Sequence, residues 1–458
     1  MLCYRESMNV PPAIPRTLLA ILALAGAWFP CLAATIGNAT PIPVTVIQAG
    51  TLLLDPREPP RREQSIVVEN GRISEVRPGF VSVPGARVID LRTSFVLPGL
   101  IDLHVHLTSN PVPGGELKVV TAGSADLALL ATDNARRTLA AGFTTVVDLG
   151  TGRRAHEDAI YALRDAIATG IADGPRILTA GSPLSAPGSS RTGRFRPEVE
   201  AIVGPEAVCS GADDCRRAVR EQVRRGADVI SFYNTGSLLS IPSPPQTFTD
   251  EEMRAIVGAA HALGRRVIAD GGNTRGNAQG INAALRAGAD IIDTGTYPDA
   301  ATWTLLKERA AYYVPHLYAL RAAVGDSPRT LDTGTMGWLP QPVLAFLFEL
   351  KQQQPAAIDA HRTGVQLAFG SDPGVFPHGD NAREFIEYVT VVGLTAAQAI
   401  ATATVNAAQA LGLETEIGTL AAGRAADLIA TAASPVEDIT ELTRVRFVMR
   451  GGRIFLSP

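Results

Sequence analysis

The chain has 458 residues, and 41 Lys and Arg against 45 Asp and Glu give a formal net charge of −4. That balance excludes a nucleic-acid footprint and a polybasic membrane-binding surface. With 46% hydrophobic and 19% charged residues, and 43 Gly and 32 Pro, the composition is that of a folded globular protein rather than a disordered or fibrous one.

The first element is a targeting segment. Arg5 and Arg16 precede the apolar run TLLAILALAGAWF, and Cys31-Leu32-Ala33 carries the small residues that suit signal-peptidase cleavage. Residues 1–33 therefore read as a signal peptide; a membrane anchor, the competing reading, needs about 20 apolar residues, more than this run offers. The expected location is outside the cytoplasm, periplasmic or secreted, with no membrane attachment after cleavage. Cleavage leaves Cys209 and Cys215 in the segment CSGADDC. In an oxidising compartment they can close a small disulfide loop. Free thiols or a soft metal site are the alternatives, although no His is near enough in sequence to complete a zinc set.

Residues 42–94 (VTVIQAGTLLLD, QSIVVENGRISEVRPG, ARVIDL) alternate with period 2 and carry an Asn-Gly turn; residues 416–458 repeat the pattern with a Gly-Gly turn. Each block is too small for a core of its own. They are expected to pair as one small composite β-sandwich domain built from both chain ends, joined to the rest near Leu97-Pro98-Gly99.

Between the flanks lies the expected barrel, 95–415, in which one phrase recurs from Ala131 to Asp372: an Ala/Arg/Leu helix, a Gly, then a short β-branched strand. Gly142, Gly226, Gly264, Gly288 and Gly364 fall where a helix end needs positive φ. Eight strand-like segments follow in order: FVLPGLIDLHVHL, FTTVVDLG, PRILTAG, ADVISFYN, RRVIADGG, ADIIDTG, YYVPHL and VQLAFGSD. The pattern predicts an α/β fold, a (β/α)8 TIM barrel with its function at the C-terminal strand ends. An open doubly wound sheet fits less well, because no Gly-x-Gly-x-x-Gly turn follows the first strand.

The first barrel strand ends in His104-Val-His106. On a strand, residues i and i+2 face the same way, so the two imidazoles converge and can chelate a divalent ion. Asp372 ends the eighth strand in FGSDPG, next to the first in a closed barrel, and can reach the same ion. The competing reading is a set of polar side chains that merely caps the barrel.

With these motifs the chain resembles the amidohydrolase superfamily, in particular its imidazolonepropionase-like and prolidase-like metal-dependent hydrolases. The resemblance runs from about residue 44 to the C-terminus through VENGRI, LPGLIDLHVH, AGFTTVVDLG, FGSDPG, PHGDNAREF, ATVNAAQALGL, GTLAAGRAADLI and VMRGGRIF, all in family order. It implies a barrel, a composite β-sandwich, and hydrolysis of amide or related bonds by metal-activated water. Three positions depart from the family. Ser231 stands where the fourth strand usually carries a metal-bridging carboxylated lysine, Asp270 where the fifth carries a histidine, and Thr294 where the sixth carries another. A degenerate metal site follows, with His104, His106 and Asp372 holding one divalent metal, zinc by preference, and Asp270 as the additional ligand.

Around this group Tyr233 and His316 are candidates for substrate contact, each with packing as the blander fate. Arg191, Arg194 and Arg196, in the loop after the third strand, could clamp a substrate carboxylate or simply be solvated. His378 is expected to be structural, and His156 and His261 to be surface or capping residues. The main functional expectation is an exported hydrolase cleaving a C–N bond in a small amide, dipeptide or N-acyl amino acid. Asp372 serves as metal ligand and general base, the substrate is a small molecule, and homo-oligomer formation is left open. The alternative is an inactive relative that keeps the barrel as a binding module.

Overall fold

The computed structural model describes residues 44–112, 121–150, 154–189, 196, 198, 207–236, 245–271, 277–325, 335, 337, 341–352 and 355–458. Residues 1–33, expected to be a signal peptide, and Arg191 and Arg194 lie outside the described residues.

The two flanking blocks form one sheet. β1 (Thr45–Leu52), β2 (Arg61–Glu69), β3 (Arg72–Pro78) and β4 (Arg87–Pro98) come from the N-terminal side, and β12 (Leu428–Thr431), β13 (Phe447–Arg450) and β14 (Arg453–Leu456) from the C-terminal side. Their order is β14-β13-β12-β4-β1-β2-β3. The seam is the antiparallel pair β4–β12, with Leu428 opposite Pro98 and Ile429 opposite Leu97. Its buried face is apolar, with Ile47, Ile66, Val96, Leu428, Phe447 and Met449 in one cluster. Burial of such side chains, worth about 1.5–3 kcal/mol each, holds the two chain ends together.

Gly99 turns the chain from β4 into β5 (Leu100–Val105). A Cβ there would lie 2.2 Å from Thr144 Oγ1, so only glycine lets the joint pass over β6 (Phe143–Asp148). The parallel strands β5, β6 and β7 (Arg176–Thr179) form one ladder, and β8 (Ile230–Tyr233), β9 (Val267–Asp270), β10 (Ile291–Asp293) and β11 (Tyr312–Val314) a second. A parallel bridge from Leu184 to Phe232 links the first ladder to the second. The helices between them include α1 (Ser124–Ala140), α2 (Arg154–Ala168), α3 (Ala212–Arg225), α4 (Asp250–Ala262), α5 (Gln279–Ala287), α6 (Ala300–Arg309) and α7 (Leu317–Val324). The five glycines expected at helix ends have φ between 67° and 113°. The fold is α/β and TIM-barrel-like.

The eighth strand-like segment is not a regular ladder strand. Leu367 makes a single parallel bridge to Tyr313, and Leu103 N–H donates to Phe369 O at 2.9 Å on the other side. Two more of its backbone groups are satisfied by the helical turns that follow. Phe369 N–H donates to the carbonyl of Thr402, which begins the π-helical turn Thr402–Asn406, and Asn406 Nδ2 donates to Leu367 O. A π-turn leaves carbonyls free for such use, which accounts for the Phe369 N–H that the ladder does not pair.

Cys209 and Cys215 form a disulfide with Cα atoms 5.0 Å apart, both buried. The bond ties the N-terminal end of α3 to the strand-like turn at Val208, which pairs with Ser185 beyond β7. Thiol titration of the denatured, unreduced chain lacking residues 1–33 is expected to find no free thiol; two reactive thiols would contradict the pairing. His156, expected at the surface or a cap, is instead buried, with Nδ1 at 2.7 Å from Thr108 Oγ1. His261 is largely exposed and pairs with Asp290 on the outer face. Among the described residues no helix is long and apolar enough to cross a membrane.

Candidate metal centre

His104 on β5 and His106, one residue past its end, keep the alternation of the strand: His104 Nε2 and His106 Nε2 are 3.0 Å apart. Asp372 arrives from the end of the eighth segment, with Oδ1 at 3.4 Å from His104 Nε2 and 3.5 Å from His106 Nε2. Its backbone is pinned to the first strand by Asp372 N–H donating to His104 O at 3.0 Å. Asp372 has φ 61°, a left-handed conformation that Asp tolerates better than most residues. Ligands at 2.0–2.1 Å from a tetrahedral zinc stand about 3.3–3.4 Å apart, so the three donor atoms already have nearly the spacing such an ion imposes.

Asp102, two residues before His104, joins these parts. Its Oδ1 accepts from the backbone N–H groups of His104 and Ser371, each at 3.1 Å, and its Oδ2 accepts from Ser371 Oγ and from Asn381 Nδ2 at 2.9 Å. Burial pushes the Asp102 carboxyl up, and these four hydrogen bonds oppose the shift. One wholly buried carboxylate thus locks the strand bearing His104 and His106 to the turn bearing Asp372. Asp148, at the end of β6, does the same for the next turn by accepting from Leu107 N–H and Gly150 N–H; burial pushes it up to about 6.

A second group shares His104. Asp293, at the end of β10, receives His104 Nδ1–H on Oδ2 at 2.8 Å and His316 Nε2–H on Oδ1 at 2.9 Å. Burial alone would lower the pKa of His104, but the charges of Asp293, Asp372 and Asp270 raise it to about 10. Burial raises the pKa of Asp293, yet the two imidazoles outweigh it and hold the carboxyl well below the usual range. Thr294, next in the chain, has φ 68° and donates Oγ1–H to Asp293 Oδ2 at 3.3 Å. A β-branched residue at such a φ is a local strain that the surroundings must hold in place.

The structure thus brings together His104, His106 and Asp372. Asp270, paired in register with Asp293 on β10 and with Tyr233 on β8, acts on His104 through its charge and stands outside both close groups of ligand atoms. His316 is spent on Asp293, with 4% of its side chain exposed. Tyr233 is buried beside Asp270, and Ser231 is buried on β8. Arg196 is exposed and pairs with Glu198. His378 is structural, as expected: Thr138 Oγ1 donates to its Nδ1, and its Nε2–H donates to the carbonyls of His106 and Ser109. A cavity of about 580 Å³ lies between α5 and α6, lined by Asn282, Thr296, Tyr297, Asp299 and Trp303, but none of the ligand atoms faces it. The converging donor atoms, rather than that cavity, mark the chemistry.

Residues 95–455 match the family model described as Amidohydrolase family. The chain is 29% identical to the ochratoxinase of Aspergillus niger over 91% of its own length and 87% of that enzyme. Among solved structures it is similar to a Xaa-Pro dipeptidase with bound methionine in the active site, at 32% identity and TM-score 0.80, covering 90% of this chain and 100% of the other. A prolidase complexed with N-methylphosphonate-L-proline shares 28% identity at TM-score 0.78, covering 91% of this chain and 100% of its own.

Proposed function

The chain belongs to the amidohydrolase family, and on that premise we propose that it is an exported, metal-dependent hydrolase that breaks the C–N bond of a small amide, dipeptide or N-acyl amino acid. The observation that carries the metal dependence is the convergence of His104 Nε2, His106 Nε2 and Asp372 Oδ1 within 3.5 Å of one another. Two imidazoles and one carboxylate with open positions suit zinc. The substrate class is supported by the names of the relatives, a dipeptidase and a prolidase among them. In this reading 95–415 is a closed (β/α)8 barrel, and 42–94 with 416–458 make a composite domain of sandwich type.

A divalent ion held there would polarise the scissile carbonyl and bring the pKa of water toward about 7. The chain's own residues do the rest. His104 and His106 present Nε2 lone pairs from one strand. Asp372 takes the proton from the attacking water and returns it to the departing amine, a role that its place between the two imidazoles and the open side supports. Asp270 adds negative charge behind His104 and favours a cation.

The test is elemental analysis of the purified protein, followed by hydrolysis assays on a panel of dipeptides and N-acyl amino acids before and after chelation. About one divalent ion per chain and chelator-sensitive cleavage are expected; a protein without the ion, and without response to added zinc or manganese, would overturn the reading. Asp270→Asn should lower zinc affinity while keeping the stoichiometry, which competition against a chelating dye would measure.

A further inference from the structure

Asp293 takes no part in the mechanism above, yet it is 1% exposed and touches a ligand from behind. We infer that Asp293, held by His316, is a positioning residue that keeps the proton of His104 on Nδ1 and so aims the Nε2 lone pair at the point between His106 and Asp372. The inference rests on the reading of His104 as a metal ligand.

A carboxylate can only accept, so an Asp293 oxygen 2.8 Å from His104 Nδ1 requires that nitrogen to carry its hydrogen. The other ring nitrogen is then the one that can bind an ion. Asp293 cannot turn away from this task, because its second oxygen accepts from His316 Nε2 and Thr294 Oγ1 donates to the first. The His104 and His316 rings stand edge to face, with centroids 4.5 Å apart at 87°. Space for the three side chains is set by Gly370, where a Cβ would lie 2.5 Å from Val314 Cγ1 and 3.2 Å from His316 Nε2. The strained φ of Thr294 immediately follows Asp293, so the backbone there is bent where this carboxylate must be placed. Three strand ends far apart in sequence, those of β5, β10 and β11, thus converge on one hydrogen-bonded row behind the metal-facing atom. Such partners of a ligating histidine raise its basicity and fix its ring.

His104, Asp293 and His316 are also close enough to hold an ion among themselves. The two short hydrogen bonds to Asp293 favour protons there instead, and the experiment separates the two cases. Zinc affinity and stoichiometry are measured by dye competition on the full-length protein, with the thermal midpoint as the control for folding. Asp293→Asn, whose amide can present a donor to Nδ1 and push the proton of His104 onto Nε2, should weaken zinc about 10- to 100-fold. His316→Leu should weaken it in the same direction, and His316→Gln, which restores an N–H donor to Asp293, should recover most of the loss. If Asp293→Asn fails to fold, the His316 pair decides. Wild-type affinity in Asp293→Asn, or His316→Gln no better than His316→Leu, overturns the inference while leaving the metal site intact. A second zinc in the wild-type protein that is lost in both Asp293→Asn and His316→Leu also overturns it, since Asp293 is then a ligand. A wild-type protein that binds no divalent ion overturns the metal reading, and this inference with it.

Discussion

His106→Ala is expected to fold, to lose its divalent ion and to lose hydrolysis by about 10³-fold. His106 is one of three donors, and its Nε2 lies 3.0 Å from His104 Nε2 and 3.5 Å from Asp372 Oδ1. A bound ion contributes several kcal/mol of transition-state stabilisation, and each 1.36 kcal/mol is a factor of ten, so losing the ion removes about three orders of magnitude. Folding should survive, because the strand is held by backbone bonds and Asp102 rather than by the His106 ring, which is 20% exposed. Elemental analysis and steady-state kinetics on the same preparation check both halves. Full activity in a variant that has lost the ion would separate the chemistry from the metal.

Protonation of His378 should cost stability in acid. Burial pushes this imidazole down to about 4 from an ordinary value near 6.5. The unfolded chain therefore binds a proton between those values that the folded chain does not, and stability falls as pH drops through the window. At 1.36 kcal/mol per unit the loss is about 3 kcal/mol, complete near pH 4 and absent above about pH 6.5. The neutral ring suits its partners, since Nε2–H donates to two carbonyls and Nδ1 accepts from Thr138, a pattern that a charged ring would break. Asp148, pushed up to about 6, acts with opposite sign, because the folded state holds its proton up to that pH and the unfolded chain releases it near 4. The two contributions nearly cancel in wild-type protein, so the comparison must be between variants. Urea midpoints at pH 7 and pH 4.5 should show a smaller acid loss in His378→Gln, whose amide can serve the same three partners, than in wild type. Equal losses would place the acid sensitivity elsewhere.

The parts that sequence makes legible are those with local rules. A His-x-His at a strand end puts two rings on one face, and a helix end that needs positive φ calls for glycine, as at Gly226 and Gly288. Period-2 blocks at both ends anticipate a shared sheet, because neither could bury its own apolar face. Asp372 is legible through the closing order of strands. Asp293 is not, since nothing in ADIIDTG says that its carboxylate will lie between histidines from β5 and β11; that depends on how strands distant in sequence stack across the fold. Asp102 stands two residues before His104 in the same motif. Its signal is a carboxylate among the aliphatic residues of a strand, a placement that is costly unless every lone pair is used. The reach of Asp270 does not follow from its strand position alone, because its distance from the imidazoles depends on strand tilt, which no local pattern encodes.

The seam between β4 and β12 has a consequence for biosynthesis. β4 leads through Gly99 directly into the strand that carries His104, and its partner β12 is made only after the whole barrel-like region between them. Until Leu428 and Ile429 emerge, the edge of β4 at Leu97 and Pro98 has no strand beside it, and a nascent chain presents an apolar edge to its surroundings. The strand that carries His104 is therefore anchored on this side only by a segment made after His104, His106 and Asp372 themselves, so the residues that converge are all present before the seam that steadies them can close.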